Sequence, residues 1–431
     1  MKAGAFVLGL LALVALSIPV AAILGDLAIG IDWFYNGGRL SRTFGGFLWD
    51  KSVEYVLLSI PLFILLGEIN LRSGVASRMY AAVAKWLSWL PGGLMHANIG
   101  ASAIFSATSG SSIATAATIG TVAYPEIAKR GYSEPLFLGS IAAGGTLGIL
   151  IPPSITLIVY GVLTENSVPE LYLAGIIPGI LLAMLFSLMI AAYCIVRPAA
   201  AGEREAVSWG DRFRCLPDLV PPLLIFLGVV GTIYAGWATP TESASIGVVV
   251  SLILALFARR LDWRMLRESF ENTVKTTAMV MFIIFAAMIL NIVIGFLGYI
   301  QALSAWIGQL GLSPVQLIMM IVVFYVIIGM FMETFSMMLT TIGLVYPLVT
   351  AAGFDGVWFG VMVTLLMEVA LITPPIGVNL FVVHGIRGPG ARFRDVWTGA
   401  IPFVLAMLMM VVLLVWQPWL ATWLPQSVYG R

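Results

Sequence analysis

The chain has 431 residues, of which 60% are hydrophobic and only 10% charged, and its mean hydropathy is +1.03. A soluble domain carries about 25% charged residues, so a water-soluble fold cannot bury this much apolar surface. The net charge of +1 gives no indication of nucleic acid as a partner.

Apolar stretches long enough to cross a bilayer recur along the chain. A helix needs about 20 apolar residues to span the hydrocarbon core, whereas a membrane β-barrel shows alternating segments of about 10 residues. We therefore predict an all-α polytopic membrane protein. The predicted spans are residues 5–24, 53–71, 136–162, 171–196, 219–235, 243–257, 278–297, 357–383 and 401–420. The first is too long for a cleaved signal peptide, so we expect a retained span.

Two further apolar stretches, residues 98–127 and 315–349, are interrupted midway by small or polar residues. The first contains Ser106-Ala107-Thr108-Ser109-Gly110-Ser111-Ser112, and the second contains residues 329–336 with Glu333 and Thr334. Unwound backbone at membrane depth is tolerated only where protein or a wet cavity surrounds it. Each stretch is therefore predicted to be a re-entrant hairpin beside a cavity.

The distribution of Lys and Arg predicts the orientation, because cytoplasmic loops carry an excess of both. The basic segments, which we place inside, are residues 72–85, 129–130, 197–214, 259–275 and 387–394. The loops without Lys or Arg, which we place outside, are residues 164–170, 237–242 and 299–314. The N-terminus is then cytoplasmic and the C-terminus periplasmic. Arg39, Arg42 and Lys51 fall outside, against the rule.

An offset of 222 residues aligns the two halves of the chain. It pairs Tyr124-Pro125 with Tyr346-Pro347, Thr118 with Thr340, and Pro152-Pro153 with Pro374-Pro375. Each half reads as a span, a surface stretch, a hairpin, a span broken at Pro-Pro, and a last span. The first hairpin opens among basic segments and the second after an uncharged loop, so the halves are predicted to be inverted. Inverted repeats with broken helices are typical of secondary transporters.

The repeat divides the chain into five parts. They are an N-terminal helix and surface segment (1–52), repeat 1 (53–196), linking helices (197–260), repeat 2 (261–424) and a C-terminal tail (425–431). Duplication in a purely structural bundle would not explain polar interruptions at matched depth. We therefore favour a transporter, with its site between the repeats.

Broken helices expose backbone groups that can bind ions. A helix end leaves up to four N–H or C=O groups without partners. Hairpin N-termini suit an anion, and carbonyl and hydroxyl oxygens suit a hard cation such as sodium. The candidates in the first half are Ser106, Thr108, Ser109, Gly110 and Ser112, facing Gly144-Gly145-Thr146. Those in the second are Gly329, Glu333 and Thr334, facing Thr373, Pro374 and Asn379.

Three acidic residues lie within apolar stretches, where an ionised Asp costs about 2.5–3.5 kcal/mol and Glu should be comparable. For Glu333, at a hairpin tip, we favour a role in ion or substrate handling. For Glu68 and Glu368 we favour capping of a broken neighbouring helix. The two histidines, His96 and His384, are isolated, and the two cysteines lack metal or redox spacing. We expect no cofactor.

Five stretches of the chain match a known family. They are FSATSGSSIATAATIGTVAYPEIAKRGY, GTLGILIPPSITLIVYG, WATPTESAS, GMFMETFSMMLTT and EVALITPPIGVNLFVV. They resemble the DctM-type large membrane subunit of tripartite ATP-independent periplasmic (TRAP) transporters, over nearly the whole chain. The resemblance implies an elevator-type carrier in the bacterial inner membrane, driven by a sodium gradient. It also implies two partners, a periplasmic solute-binding protein (DctP type) and a small four-helix membrane subunit (DctQ type), and an organic acid such as a dicarboxylate or sialic acid as the solute.

The resemblance further implies two sodium sites at the hairpin tips. They correspond here to Ser106, Ser109 and Gly110 with Gly145, and to Gly329, Glu333 and Thr334 with Thr373 and Pro374. The substrate region is then expected at Thr108, Ser112, Thr146 and Asn379. Many relatives have Asp where this chain has Glu333.

Other functions fit the sequence less well. A stand-alone sodium-coupled carboxylate symporter of related architecture would need neither partner. The permease half of an ATP-driven importer does not suit an inverted repeat with hairpins, and the chain has no P-loop. An intramembrane enzyme would need a His-rich metal cluster or paired aspartates, which the sequence lacks. We therefore expect a carrier and not an enzyme.

Overall fold

The computed structural model describes residues 19–203, 206–388 and 390–430. Within these ranges the regular secondary structure is helical, with one isolated β-bridge between Tyr132 and Ala201. Most of the predicted span at 5–24 lies outside the described residues.

The helices fall into a first half, a linking region and a second half. The first half contains α1 (Val20–Asn36), α2 (Phe44–Ser52), α3 (Ser59–Arg72), α4 (Val75–Leu87), α5 (Leu94–Ser109), α6 (Ser112–Ala123), α7 (Pro125–Arg130), α8 (Glu134–Thr146), α9 (Ile155–Thr164) and α10 (Val168–Val196). The linking region contains α11 (Trp209–Arg214), α12 (Val220–Phe226), α13 (Thr232–Tyr234) and α14 (Pro240–Phe257). The second half contains α15 (Trp263–Phe296), α16 (Tyr299–Gln309), α17 (Pro314–Gly329), α18 (Thr334–Ala351), α19 (Gly356–Leu371), α20 (Val378–Gly385), α21 (Phe393–Trp416) and α22 (Trp419–Tyr429). Short 3₁₀ turns occupy Ser41–Thr43, Tyr55–Leu58, Leu147–Ile149, Pro198–Ala200 and Leu216–Leu219, and a π-helical segment occupies Leu227–Gly231.

Seven helices of the described part are long and apolar enough to cross a bilayer. They are Tyr55–Arg72, Val168–Val196, Trp209–Tyr234, Pro240–Phe257, Trp263–Phe296, Thr334–Ala351 and Phe393–Trp416. Two shorter apolar helices, α9 and α19, accompany them. The prediction of an all-α polytopic membrane protein is confirmed.

Helices of related length follow one another in the same order in both halves. Helices α5 and α6 correspond to α17 and α18, α8 and α9 to α19 and α20, and α10 to α21. The legs of the second hairpin lie side by side, since the Tyr325 hydroxyl is 2.7 Å from Thr341 Oγ1. In the first hairpin, Ser109 Oγ lies 3.2 Å from Thr115 Oγ1. The inverted orientation of the halves stays a prediction.

The break in the first hairpin is narrower than the sequence predicted. Residues 106–112 were expected to be unwound, but α5 continues to Ser109 and α6 begins at Ser112. The reason is that a hydroxyl can bond back to its own helix, as Thr108 Oγ1 does to the Phe105 carbonyl at 2.8 Å. A run of Ser and Thr therefore does not by itself end a membrane helix.

The N-terminal region is helical. Within residues 25–52, predicted as a surface segment, α1 continues to Asn36 and α2 follows it. Asp32, which is fully buried, accepts hydrogen bonds from Asn36 Nδ2 at 3.0 Å and the Ser41 N–H at 2.8 Å. These bonds satisfy its carboxylate and fix the turn that ends α1.

Helices α8 and α21, one from each half, cross at very short distance. A Cβ added to Gly139 would lie 2.0 Å from the Gly399 carbonyl oxygen, and one added to Gly399 would lie 1.7 Å from the Pro135 carbonyl oxygen. Small residues allow membrane helices to approach in this way. Beside the crossing, Arg387 bonds to Glu134 at 2.7 Å and to Asp395 at 3.0 Å. The crossing therefore joins the two halves.

Replacement of Gly399 tests this contact. Gly399→Ala forces the backbones apart and should reduce the free energy of unfolding by about 1–3 kcal/mol, the usual cost of overpacking. Gly295→Ala is the matched control, because nothing lies within 4 Å of a Cβ at Gly295. The thermal unfolding midpoint in detergent is the measurement. Equal midpoints for the two variants would show that the crossing is not tight.

Candidate functional site

The tip of the first hairpin packs against the break between α8 and α9. Gly110 ends α5 in the left-handed region, with φ +61, and its N–H donates to the Ser106 carbonyl at 3.0 Å. A Cβ on Gly110 would lie 2.8 Å from the Pro153 carbonyl oxygen, and one on Gly148 would lie 2.7 Å from Ser112 N. Glycine at both positions thus lets two broken segments touch through their backbones.

Four serine hydroxyls lie at this tip, and that of Ser111 caps α6 by accepting from the Ala114 N–H. Ser112 Oγ donates to the Thr146 carbonyl at 3.0 Å, and Ser109 Oγ is shared with Thr115. Ser106 Oγ is buried and has no hydrogen-bond partner among the described residues. Gly145 faces α6, where its Cβ would lie 2.6 Å from that of Ala116. The Ser106 hydroxyl is therefore a buried oxygen that remains available for a further hydrogen bond.

The tip of the second hairpin is organised by Glu333. Its Oε2 accepts from the Ser336 N–H at 3.0 Å and from Ser336 Oγ at 3.2 Å, and its Oε1 accepts from Thr334 Oγ1 at 2.9 Å. Glu333 therefore caps the N-terminus of α18. The same bonds fix a carboxylate at the tip, where the partial positive charge of the helix end favours it.

The second tip also contacts a broken segment, between α19 and α20. The Ile376 N–H donates to the Met330 carbonyl at 3.3 Å. A Cβ on Gly329 would lie 2.7 Å from that of Ala370. Thr373 Oγ1 donates to the Val369 carbonyl at 2.6 Å, and Pro374 follows it in the break. Each hairpin tip thus meets the broken segment of its own half.

The four residues expected in the substrate region divide into two places. Ser112 and Thr146 are bonded to each other, and Asn379 Nδ2 donates to the Ala142 carbonyl of α8 at 3.2 Å. Asn379 Oδ1 is buried without a partner among the described residues. Thr108 lies apart, because its carbonyl accepts from Asn70 of α3 at 2.9 Å. Three of the four therefore gather along α8, and one faces a different helix.

A ladder of polar side chains between α5 and α8 was missed by the sequence reasoning. Tyr80 donates to Asn98 Oδ1 at 2.8 Å, and Asn98 Nδ2 donates to Ser140 Oγ at 2.9 Å. Asn98 and Ser102 share one face of α5 with Ser106, at intervals of four residues. Ser102 Oγ is also buried without a partner among the described residues. The four-residue spacing of Asn98, Ser102 and Ser106 in the sequence could have predicted this polar helix face.

Two carboxylates do not act as caps of neighbouring broken helices, contrary to the prediction. Glu68 pairs with Arg72 on its own helix and accepts from Asn272 Nδ2 of α15 at 3.2 Å. Glu368, on α19, is fully buried, and neither carboxyl oxygen has a hydrogen-bond partner among the described residues. Glu368 lies on α19 opposite Ala370, which faces the second tip, so its side chain points away from that tip. Closeness along the sequence to a helix break therefore did not make either glutamate a cap of that break.

Glu368 gives a prediction about stability. An unpaired ionised carboxylate inside a protein is costly, so a neutral side chain of the same shape should be tolerated at this position. Glu368→Gln should therefore change the free energy of unfolding by less than about 1 kcal/mol. Glu368→Lys places an unpaired cation there and should lower folded yield sharply, at a cost of about 2.5–3.5 kcal/mol. Size-exclusion chromatography and thermal unfolding in detergent measure both. Severe destabilisation by Gln would mean that the carboxylate has a partner.

The histidines and cysteines form no metal site within the described residues. His96 Nε2 lies 2.8 Å from the Pro91 carbonyl oxygen, and His384 packs edge-on against Phe393. Cys194 and Cys215 are buried free thiols. These side chains serve packing at the helix ends where they lie.

Two helix hairpins, each packed on a broken helix, form an arrangement that is typical of secondary transporters. Residues 7–420 match the model of the "Tripartite ATP-independent periplasmic transporter, DctM component". The chain belongs to this family. It is a TRAP transporter large permease subunit and not an enzyme.

Curated relatives match along most of their length. The C4-dicarboxylate TRAP transporter large permease protein DctM of Vibrio cholerae is 31% identical, over 96% of this chain and 95% of its own. The protein of that name from Pseudomonas aeruginosa is 34% identical over 88% of each chain. The ectoine/5-hydroxyectoine TRAP transporter large permease protein UehC of Ruegeria pomeroyi is 30% identical over 87% of each.

The fold has a counterpart among solved structures. The Alcanivorax borkumensis YdaH transporter superposes with a TM-score of 0.63, covering 98% of this chain and 99% of its own, at 17% sequence identity. At this identity the likeness concerns the fold alone. It supports the helical architecture described above.

Proposed function

We propose that this permease imports an organic acid across the bacterial inner membrane by sodium-coupled, elevator-type transport. The proposal rests on one observation, which is that each hairpin tip packs against the broken segment of its own half. Helix ends, carbonyls and hydroxyls meet at both places, which is the arrangement that secondary transporters use for ions and anionic substrates. An elevator would move both hairpins and both broken spans together against the remaining helices.

Sodium suits the oxygen chemistry of the tips. In the first half the proposed ligands are Ser106, Ser109, Gly110 and Gly145, and Ser106 contributes the unpartnered hydroxyl. In the second half they are Gly329, Glu333, Thr334, Thr373 and Pro374. Because Glu333 is fixed by three hydrogen bonds, it supplies negative charge near a cation even if it does not touch it.

The relatives indicate the class of solute. The names of the relatives described above refer to C4-dicarboxylates and ectoine, which are small polar solutes that carry a carboxylate. We propose a carboxylate as the solute, bound along α8 beside Ser112, Thr146 and the free Oδ1 of Asn379.

The proposed partners are a periplasmic solute-binding protein and a small membrane subunit. We also propose that the N-terminus is cytoplasmic and the C-terminus periplasmic.

Uptake into liposomes tests the proposal. Vesicles containing this chain and its small membrane partner receive a panel of organic acids from the cognate binding protein, with or without an inward sodium gradient. We expect uptake that requires both sodium and the binding protein. Uptake with sodium alone would assign the chain to the stand-alone symporters, and uptake without sodium would overturn the coupling.

Bulky substitutions at the tips test the ion sites. Ser109→Leu and Thr334→Leu should abolish sodium-dependent uptake, because they replace oxygen ligands with apolar volume. Both positions are buried, so size-exclusion chromatography first isolates the folded fraction for the uptake assay. Thr121→Leu and Thr350→Leu, at exposed positions on the hairpin legs, are the matched controls. Transport that survives at the two tip positions would rule out these residues as ligands.

A further inference from the structure

One carboxyl group of the second half is buried without a partner. Glu368, on α19, is fully buried, and neither of its carboxyl oxygens has a hydrogen-bond partner among the described residues. Glu68 and Glu333, by contrast, both accept hydrogen bonds from neighbouring side chains. A carboxylate that is buried without a partner is so costly that the group takes up a proton instead. The surroundings of Glu368 therefore favour the neutral acid.

Glu368 lies on the side of α19 that packs against the first half. A Cβ on Gly360 would lie 2.6 Å from Leu171 Cδ2 of α10 and 2.6 Å from Tyr160 Cε1 of α9. Gly360 and Glu368 are eight residues apart, so they share one face of the helix. The 3₁₀ turn at Leu147–Ile149, in the broken segment of the first half, also contacts α19. The carboxyl group therefore lies between the two halves.

The internal repeat places Glu368 at the level of the helix breaks. The offset of 222 residues pairs it with Thr146, the last residue of α8, whose carbonyl accepts from Ser112 of the first tip. The same offset pairs Gly148 with Ala370, and both of these residues face the tip of their own hairpin. These matched contacts support the register at this point. Glu368 thus occupies, in the second half, the position that Thr146 has in the proposed substrate region.

The helices around α19 bring no cation to Glu368 within the described residues. The ionisable groups on these helices and at their caps are Tyr160, Glu170, Tyr172, Tyr193, Cys194, Tyr325, Glu333, Tyr346, Asp355, His384, Arg394, Asp395 and Tyr429. None of them bonds to Glu368, and the three fully buried tyrosine hydroxyls among them bond to other residues. Arg394 carries a fixed positive charge, but it is exposed in the first turn of α21.

We propose that Glu368 is a proton-binding site, and that its proton crosses the membrane together with the solute. Binding forms an O–H bond between the proton and one carboxylate oxygen, and release breaks that bond and returns the proton to water. This inference rests on the proposed elevator transport, in which α19 belongs to the moving unit. Protonation removes the charge that would otherwise oppose movement of a buried carboxylate through the hydrocarbon core.

Infrared spectroscopy of the purified permease tests the protonation state without any transport. A protonated carboxyl group absorbs at a higher frequency than a carboxylate does. The difference spectrum of wild type minus Glu368→Gln at neutral pH should contain one acid band, which shifts in heavy water. Glu68→Gln is the matched control, because Glu68 pairs with Arg72 and should contribute carboxylate bands only. Carboxylate bands in the Glu368 difference spectrum would show that the group is ionised and would overturn the proposal.

Uptake under a proton gradient tests the coupling. The liposome assay is repeated at a fixed sodium gradient, with the membrane potential clamped by potassium and an ionophore. An inward gradient of one pH unit should raise the steady-state accumulation of solute by about tenfold if one proton is coupled. Glu368→Gln has no proton to release, so its accumulation should not respond, whereas Glu68→Gln should respond as the wild type does. A response that persists in Glu368→Gln would contradict the assignment.

The wild type alone decides the question if Glu368→Gln does not fold. A wild-type spectrum without an acid band, or accumulation that ignores the proton gradient, would refute the proposal. Glu368→Asp keeps an exchangeable proton and should retain both the acid band and the response. Uptake that does not need sodium would refute the proposed function while leaving the infrared result unchanged, so the two failures are distinguishable.

Discussion

The structure depends on one constraint, which is that backbone groups at helix ends inside the membrane need partners. The part of the chain that the structure describes has helix breaks at the two hairpin tips and in the two Pro-Pro segments, and those of the first half are more buried than those of the second, where Phe331 and Pro375 are exposed. Each break has a partner for at least one backbone group: Ser111 and Glu333 act as caps, Ser154 caps the start of α9, and the Ile376 N–H donates to the Met330 carbonyl. The chain can therefore keep unwound backbone at a depth where lipid would exclude it.

The same constraint creates the candidate site. Caps and carbonyls bring oxygen atoms together at each tip, and close glycine contacts such as Gly110 on Pro153 hold tip and broken span as one unit. Because Gly139 and Gly399 join α8 to α21, the two halves cannot separate at that crossing. Asn70, by contrast, is a polar contact between the tip and helices outside it: its Nδ2 donates to the Thr108 carbonyl, and its Oδ1 accepts from Ser251 Oγ of α14.

The hairpins and broken spans could be predicted because each has a recognisable sequence feature that occurs once in each half. These features are the polar runs around Gly110 and Glu333 and the two Pro-Pro motifs. The width of the first break could not, since hydroxyls such as that of Thr108 bond to their own helix. The hydrogen-bond partners of single polar residues could not be predicted from the sequence either. Asn70 and Glu368 both interrupt apolar runs, yet one has two partners and the other has none within the described residues, and only the packing of distant helices decides this.

The central claim is that the hairpin tips bind sodium, and the thermal stability of the purified permease tests it most directly. A ligand that binds only the folded state raises the unfolding midpoint in a saturable manner. The midpoint is measured in sodium chloride and in choline chloride at equal ionic strength. The account predicts a higher midpoint in sodium that saturates with concentration; identical midpoints in the two salts at every concentration would contradict it.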